Sequence, residues 1–419
     1  MSTLNEKDIE TMLKAADNAA NSAAVDSAST GGSDESTTTR NVIVIGCGGG
    51  GCNISTMITE RVPEDVYTIA YDTSVHNMPR NVVANKKATI DGEDGAGKFR
   101  DYSKNLFKDG TYETVLGYVN EAVAALDGRP DYVLITTTAD GGTGSGMSVM
   151  LAKLLSDNTD IPVIVLGVYP TMTDDAQSQF NAMEWQTELV KTGIPYFILD
   201  NNIPMQQMTG EGSMKADAKM AEVFKRVNEQ AARIGALLTG TNFGASTQGM
   251  IDRRNLLMLT QKIGGRMVAT SDTTRPTAGQ TLDDYIETML QKSCQPLPYG
   301  VSGIGVWLKG PKEMLAQMDT SLTRLQERYG NAMLKFAHVE ESANSEIGII
   351  MTGCDEARDR LSDMRHRYDD IMSSMAKKSS CTDGLMTGLL NPMAGGIGRK
   401  FGSTEARGAS EIDTSAFDM

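Results

Sequence analysis

Asp131-Tyr-Val-Leu-Ile-Thr-Thr-Thr-Ala-Asp140-Gly-Gly-Thr-Gly-Ser-Gly146 passes from an apolar, β-branched run into a glycine loop and then into a stretch able to form a helix. Such a run reads as a buried strand, and glycines let the main chain approach a ligand closely. A helix that begins directly after the loop offers unpaired N–H groups and a partial positive charge, so the segment predicts a phosphate site. Gly141, Gly142, Gly144 and Gly146 supply its backbone, and Thr143 and Ser145 add two hydroxyls.

The same order of strand, glycine loop and helix occurs upstream, in Asn41-Val-Ile-Val-Ile-Gly46-Cys-Gly-Gly-Gly-Gly51-Cys52-Asn53. Gly48, Gly49, Gly50, Cys52 and Asn53 are its candidate ligand positions. Alone, this segment supports two readings. Gly46, Gly48 and Gly51 satisfy G-x-G-x-x-G, and Asp72 follows at the end of the next strand at about the 20-residue interval of a nicotinamide dinucleotide site. A Walker loop is excluded, because no Gly-Lys-Ser/Thr follows the glycines. The second loop favours a nucleoside triphosphate: a dinucleotide needs one loop for its pyrophosphate, whereas two loops on separate strands suit a longer phosphate chain held from two sides. A third loop, Asp91-Gly-Glu-Asp-Gly95-Ala-Gly-Lys98, adds main-chain donors at Gly95, Ala96 and Gly97 and the ammonium of Lys98 for a terminal phosphate.

The chain has 419 residues, 40% hydrophobic and 22% charged, enough for two or three domains. Apolar runs such as Ile161–Val168 fall short of the ~20 residues of a membrane span, and the N-terminus lacks a signal pattern, so the expectation is a cytoplasmic protein without a membrane partner. Cys47, Cys52, Cys294, Cys354 and Cys381 are scattered and only three histidines accompany them, which suits a reducing compartment and predicts no structural metal. A net charge of −15 argues against direct nucleic-acid binding.

Residues 1–40 read as a short amphipathic helix, Glu6–Ala20, on a Ser/Thr/Gly tether. From Asn41 short apolar runs alternate with helical stretches, the pattern of a parallel α/β sheet. The expected strands are Asn41–Ile45, Val66–Tyr71, Asp131–Thr137, Ile161–Tyr169 and Pro195–Leu199, and this first domain occupies residues 41–212. A long helix follows in 213–240, with Met220, Val223, Phe224, Val227, Ala231, Ile234 and Leu238 near a 3.6-residue period. Residues 241–378 read as a second, smaller α/β domain, with strands near Gly303–Leu308, Ala332–His338 and Glu346–Thr352, and 379–419 as an acidic tail.

Gly141–Gly146 resembles the signature loop of the tubulin/FtsZ superfamily, and Gly46–Asn53 is similar to its first phosphate loop. The resemblance runs from Asn41 to about Met375 and implies a GTPase domain, a long central helix and an activation domain. It implies GTP with Mg2+ as ligand, the ion held mainly by phosphates and water, and head-to-tail self-assembly. One departure is Asp140, where the family usually has glycine. By the same resemblance Asp72 ends its strand at a nucleotide loop, the alternative being a plain strand cap. Asp174, in Tyr169-Pro-Thr-Met-Thr-Asp174, accepts from the ribose; its alternative is a helix N-cap. Asn201 lies in a loop that helps to read guanine. Phe224 and Asn228, at i and i+4, cover the base and pair with its edge, the alternative for Phe224 being core. The loop Gly249-Met-Ile-Asp252-Arg-Arg-Asn255 enters the next subunit's site, where Asp252 polarises the attacking water. Asn255 stands where many relatives carry a second acid, which implies slow hydrolysis or reliance on Asp252 alone.

The third loop, early helix and acidic tail are more similar to the plasmid and bacteriophage tubulins (the TubZ and PhuZ groups) than to FtsZ. That similarity implies transport of plasmid DNA or phage particles, with a DNA-binding adaptor or particle engaged through the tail. An FtsZ-type division filament, a polymer without useful turnover and a nicotinamide-dependent oxidoreductase are the alternatives.

Overall fold

The computed structural model describes residues 41–64, 66–76, 78–126, 130–208, 216–239, 251, 253–277, 279–330 and 332–380. The expected N-terminal helix, the tail beyond Ser380 and Asp252 lie outside these residues. Strand and helix alternate from the start: β1 (Val42–Cys47), α1 (Gly48–Arg61), β2 (Val66–Tyr71), β3 (Lys86–Ala88), α2 (Arg100–Leu106), α3 (Tyr112–Ala125), β4 (Tyr132–Thr138), α4 (Thr143–Asn158), β5 (Val163–Tyr169), α5 (Ala176–Thr192), β6 (Tyr196–Asp200), α6 (Asn202–Met208) and the long α7 (Ala216–Thr239). Then come α8 (Arg253–Leu257), β7 (Arg266–Asp272), α9 (Leu282–Gln291), β8 (Gly303–Gly310), α10 (Lys312–Leu315), α11 (Met318–Tyr329), β9 (Leu334–Glu341), β10 (Glu346–Cys354) and α12 (Arg358–Ser380). The described residues up to Arg365 form one compact unit; the rest of α12, from His366, is a second, whose described side chains through Ala376 are half-buried or exposed.

One ten-stranded sheet carries the first unit, in the order β3-β2-β1-β4-β5-β6-β7-β10-β8-β9. Strands β1, β4, β5 and β6 are parallel and nearly all buried, which is why their sequences are continuous apolar runs without alternation. The two halves join where β7 pairs with β6 through Tyr196↔Arg266 and Phe197↔Met267, and β10 then runs antiparallel to β7 and β8. Ile54 and Ile58 of α1 and Val227 and Ile234 of α7 share a core with Val42, Val44 and Leu134. A second core packs Leu282, Ile286 and Leu290 of α9 and Leu325 of α11 on Ile304, Val306 and Ile349.

Several expected elements differ. The single helix expected over Pro311–Tyr329 breaks into α10 and α11. Strand β7 has no counterpart among the expected strands, because its sequence opens on Arg266 and ends Thr-Ser-Asp. Arg266 is nevertheless buried, with its guanidinium donating to the carbonyls of Asp355 at 2.6 Å and Pro296 at 2.7 Å. A polar group so satisfied no longer opposes burial.

Candidate functional site

Strands β1 and β4 are neighbours in register, Gly46 opposite Thr136 and Cys47 opposite Thr137, so the two glycine loops leave the sheet at the same height. Helices α1 and α4 therefore begin side by side. Neither N-cap, Cys47 or Gly142, makes a side-chain capping bond, and neither first turn holds an acid. Two adjacent helix N-termini thus present uncapped N–H groups and positive dipole ends to one place. Their closeness depends on Gly48, which has φ +75° and whose missing Cβ would lie 2.8 Å from the Gly144 amide nitrogen.

The third loop is pressed against the second at Gly142, where a Cβ would stand 2.8 Å from Ala96 Cβ and 3.0 Å from the Lys98 nitrogen. Asn181 of α5, fully buried, fastens both loops: its amide nitrogen donates to the carbonyls of Lys98 and Asp140, each at 2.9 Å. The guanidinium of Arg100 donates to Ser145 O at 3.1 Å, and the Ser103 hydroxyl to Gly142 O at 2.8 Å. Sequence reasoning missed these three residues; the available signal was a run of polar residues, Ser178, Gln179 and Asn181, on the buried face of a helix.

Lys98 does not point freely at the loops. Its Nζ bonds Asp175 at 2.5 Å and Ser178 Oγ at 2.8 Å. Asp175, not Asp174, is the N-cap of α5, accepting from Ser178 N at 2.9 Å. Burial would raise the Asp175 carboxyl, but its bonds to Lys98 and the Ser178 amide bring it below its ordinary value. The Asp174 carboxylate accepts from the Thr171 amide at 2.7 Å and hydroxyl at 2.8 Å, closing the loop after β5.

Asp72 is 1% exposed, with Oδ1 accepting from the Thr73 hydroxyl, which in turn meets Thr143 Oγ1 at 2.8 Å. Burial pushes its carboxyl above the usual range despite the amides of Ser74 and Thr73. The order β3-β2-β1-β4-β5-β6 is also that of dinucleotide folds, so topology alone does not separate the two readings. The acid does: a ribose acceptor must be open at the end of β2, and Asp72 is enclosed.

Cys52 is buried beneath the first loop, its thiol directed to Gly46 O at 3.4 Å, and Asn53 is exposed on α1. Gly49 and Gly50 are half-buried in the first turn of that helix, and Gly95 and Gly97 flank the buried Ala96. Gly146 packs on Arg100 and Ser103, behind the mouth of the loop that Gly141 borders. Asn201 is nearly buried, and its Oδ1 has no hydrogen-bond partner. Phe224 is 48% exposed while Val223 and Val227 occupy the core, so it is not a core residue; Asn228 lies one turn on, half-buried.

Asn255 sits in α8, whose following turn packs Leu259 and Ile263 against Gly303 and Gly305 of β8. Strand β8 is five positions from β4 in the sheet, roughly 24 Å at ~4.8 Å per strand. The two glycine loops and the segment around Asn255 therefore belong to different regions of one chain. Among the described residues no group of three or more His, Cys, Asp or Glu could hold a metal ion.

Residues 41–208 match the family described as "Tubulin/FtsZ family, GTPase domain". The chain is 30% identical over 135 residues to tubulin-like protein CetZ2 of Haloferax volcanii, covering 31% of this chain and 34% of that protein. It is 25% identical over 201 residues to cell division protein FtsZ 2 of Methanocaldococcus jannaschii, covering 46% and 49%. The chain thus spans about a third to a half of the length of the curated relatives it matches. Among solved structures, Clostridium botulinum phage c-st TubZ, truncated at its C-terminal tail, superposes with a TM-score of 0.58 at 16% identity, over 81% of this chain and 99% of that one. That likeness extends the shared fold into the second half of the chain, and residues 41–208, which hold the two glycine loops, match the GTPase domain of the tubulin/FtsZ family.

Proposed function

We propose that this chain binds GTP, assembles head to tail and hydrolyses the nucleotide at the contacts between subunits. The observation that carries this reading is the pair of uncapped, acid-free helix N-termini at Gly48 and Thr143, which suits a chain of phosphates held from two sides. The orphan Oδ1 of Asn201 favours guanine, whose edge carries N–H donors where a buried acceptor waits. Phe224, exposed on α7, offers a ring for the base, with Asn228 on the same face. Asp174, in the loop after β5, is our candidate for a ribose hydroxyl. Mg2+ would ride on the phosphates and water.

Hydrolysis needs a group to polarise water beside the terminal phosphate, and Asp252 of the neighbouring subunit is our candidate. Its companion Asn255 can orient a water but is no base, so turnover is slow. Residues 41–212 form the nucleotide domain, 213–240 the central helix and 241–378 the activation domain in this reading. The family relatives span several branches, and the acidic segment Glu405–Met419, with four acids against one base, supports cargo such as plasmid DNA, through a basic adaptor, or phage particles.

Right-angle light scattering with GTP, GDP or a non-hydrolysable analogue, with phosphate release followed in parallel, tests the function. Assembly with GTP and the analogue, with release only from GTP, is expected. Assembly indifferent to nucleotide, or equal response to ATP, contradicts it.

A further inference from the structure

The second glycine loop carries a carboxyl, Asp140, among glycines and hydroxyls. The Asp140 carbonyl is held by Asn181 at 2.9 Å, which fixes the main chain here, and the half-buried carboxyl lies beside the Thr138 hydroxyl. Thr138 stands between the two phosphate loops: a Cβ on Gly50 of the first loop would lie 2.7 Å from its Oγ1, and one on Gly141 of the second 3.9 Å. The main chain that carries the acid is therefore held where the loops meet, with the carboxyl half-buried beside them.

We propose that Asp140 is a specificity-determining residue of the nucleotide site, its carboxyl making triphosphate binding depend on proton uptake and so setting the preference between triphosphate and diphosphate. This rests on the phosphate-binding reading of the two loops. The charged groups facing Asp140 are Asp174, from the loop after β5, and Lys98, from the third loop. Lys98 is already engaged by Asp175, and Arg100 by Ser145 O and Glu188. One shared ammonium thus stands against three carboxyls before any phosphate arrives. A polyanion brought to this point raises the cost of the charged Asp140, and the neutral acid is the form that admits it. Burial already favours that form, with Asp174 adding to the effect and Thr138 and Lys98 opposing it. The third phosphate deepens the conflict, so the demand for a proton is larger for the triphosphate than for the diphosphate.

The test is calorimetric titration with a non-hydrolysable GTP analogue and with GDP, at protein concentrations below assembly, in buffers of different protonation enthalpy. Between about pH 6 and pH 8 the analogue's affinity for the wild-type protein should fall about tenfold more than for Asp140→Asn, with extra proton uptake approaching one. Asp140→Asn keeps a partner for Thr138 and should bind the analogue roughly tenfold more tightly near pH 8, with a smaller gain for GDP. Asp140→Gly should behave alike, and circular dichroism establishes that each variant is folded. Binding by the wild-type protein with the same pH slope and proton uptake as both variants overturns the role of Asp140 alone. A folded wild-type protein that binds neither nucleotide overturns the phosphate site and this proposal together.

Discussion

Arg360 seats its guanidinium on Asp200, Nε to Oδ2 at 2.6 Å, with both side chains more than nine-tenths buried. The same group donates to Pro170 O at 2.6 Å, so the first turn of α12 is fastened to the end of β6 and to the loop that carries Asp174. Removing one partner of a buried pair leaves an uncompensated charge, which costs about 3–5 kcal/mol. Arg360→Met should lose about that much stability in urea unfolding, and Arg360→Met with Asp200→Leu should lose distinctly less. Equal losses in single and double variants would show that the pair acts through something other than its charges.

Gly141 and Gly142 are adjacent but face different surroundings. A Cβ at Gly142 would collide with Ala96 and with the Lys98 and Phe99 backbone, whereas one at Gly141 meets only Thr138 Oγ1, at 3.9 Å. Gly142→Ala should cost about 1–3 kcal/mol by overpacking and weaken nucleotide binding by displacing the third loop. Gly141→Ala should leave the melting temperature nearly unchanged. Thermal melts of the two proteins decide this, and a reversed order would contradict the contact between loops.

Phe224, exposed on α7, contributes little to the core, so Phe224→Ala should change stability by no more than about 0.5 kcal/mol. If the ring covers the base, affinity for GTP should nevertheless fall about tenfold, as expected for loss of one aromatic stacking contact. Unchanged affinity in direct binding would remove Phe224 from the site.

The Cys52 thiol is pushed up to about 12 by burial and by the neighbouring Asp72. It should resist iodoacetamide at about pH 9, where an ordinary cysteine is half ionised, and should react only after unfolding. Because the folded value is raised, the stabilising effect of the neutral thiol is complete below the ordinary value of 9.0 and is lost as pH climbs toward about 12. Rapid labelling of Cys52 in the folded protein, located by peptide mass spectrometry, would contradict its burial.

Much of the fold is legible in the sequence because parallel strands buried on both faces have no polar alternation to obscure them: β2 falls on the expected Val66–Tyr71, and β1, β4, β5 and β6 lie within two residues of their expected bounds. The glycine loops are equally plain. What stays hidden depends on distant partners. Strand β7 is masked by Arg266, which only its carbonyl partners make tolerable. Asn181 gives no local sign that its amide bridges Lys98 and Asp140, and Lys98 gives none that Asp175 holds its ammonium. The N-cap alternative for Asp174 belongs instead to its neighbour Asp175. At Asn201 and Phe224 the family resemblance names the residues, and burial separates an orphan acceptor from an exposed ring.

In the proposed mechanism one chain binds the nucleotide while another supplies the group that hydrolyses it. Its most direct test is phosphate release from GTP measured against protein concentration, for the wild-type protein and for Asp252→Ala. Release should be negligible in dilute protein and rise steeply once scattering reports filaments, and Asp252→Ala should assemble with release reduced by about 10²–10⁴-fold. Release that stays proportional to protein concentration far below assembly, or an Asp252→Ala protein with full turnover, would contradict the account.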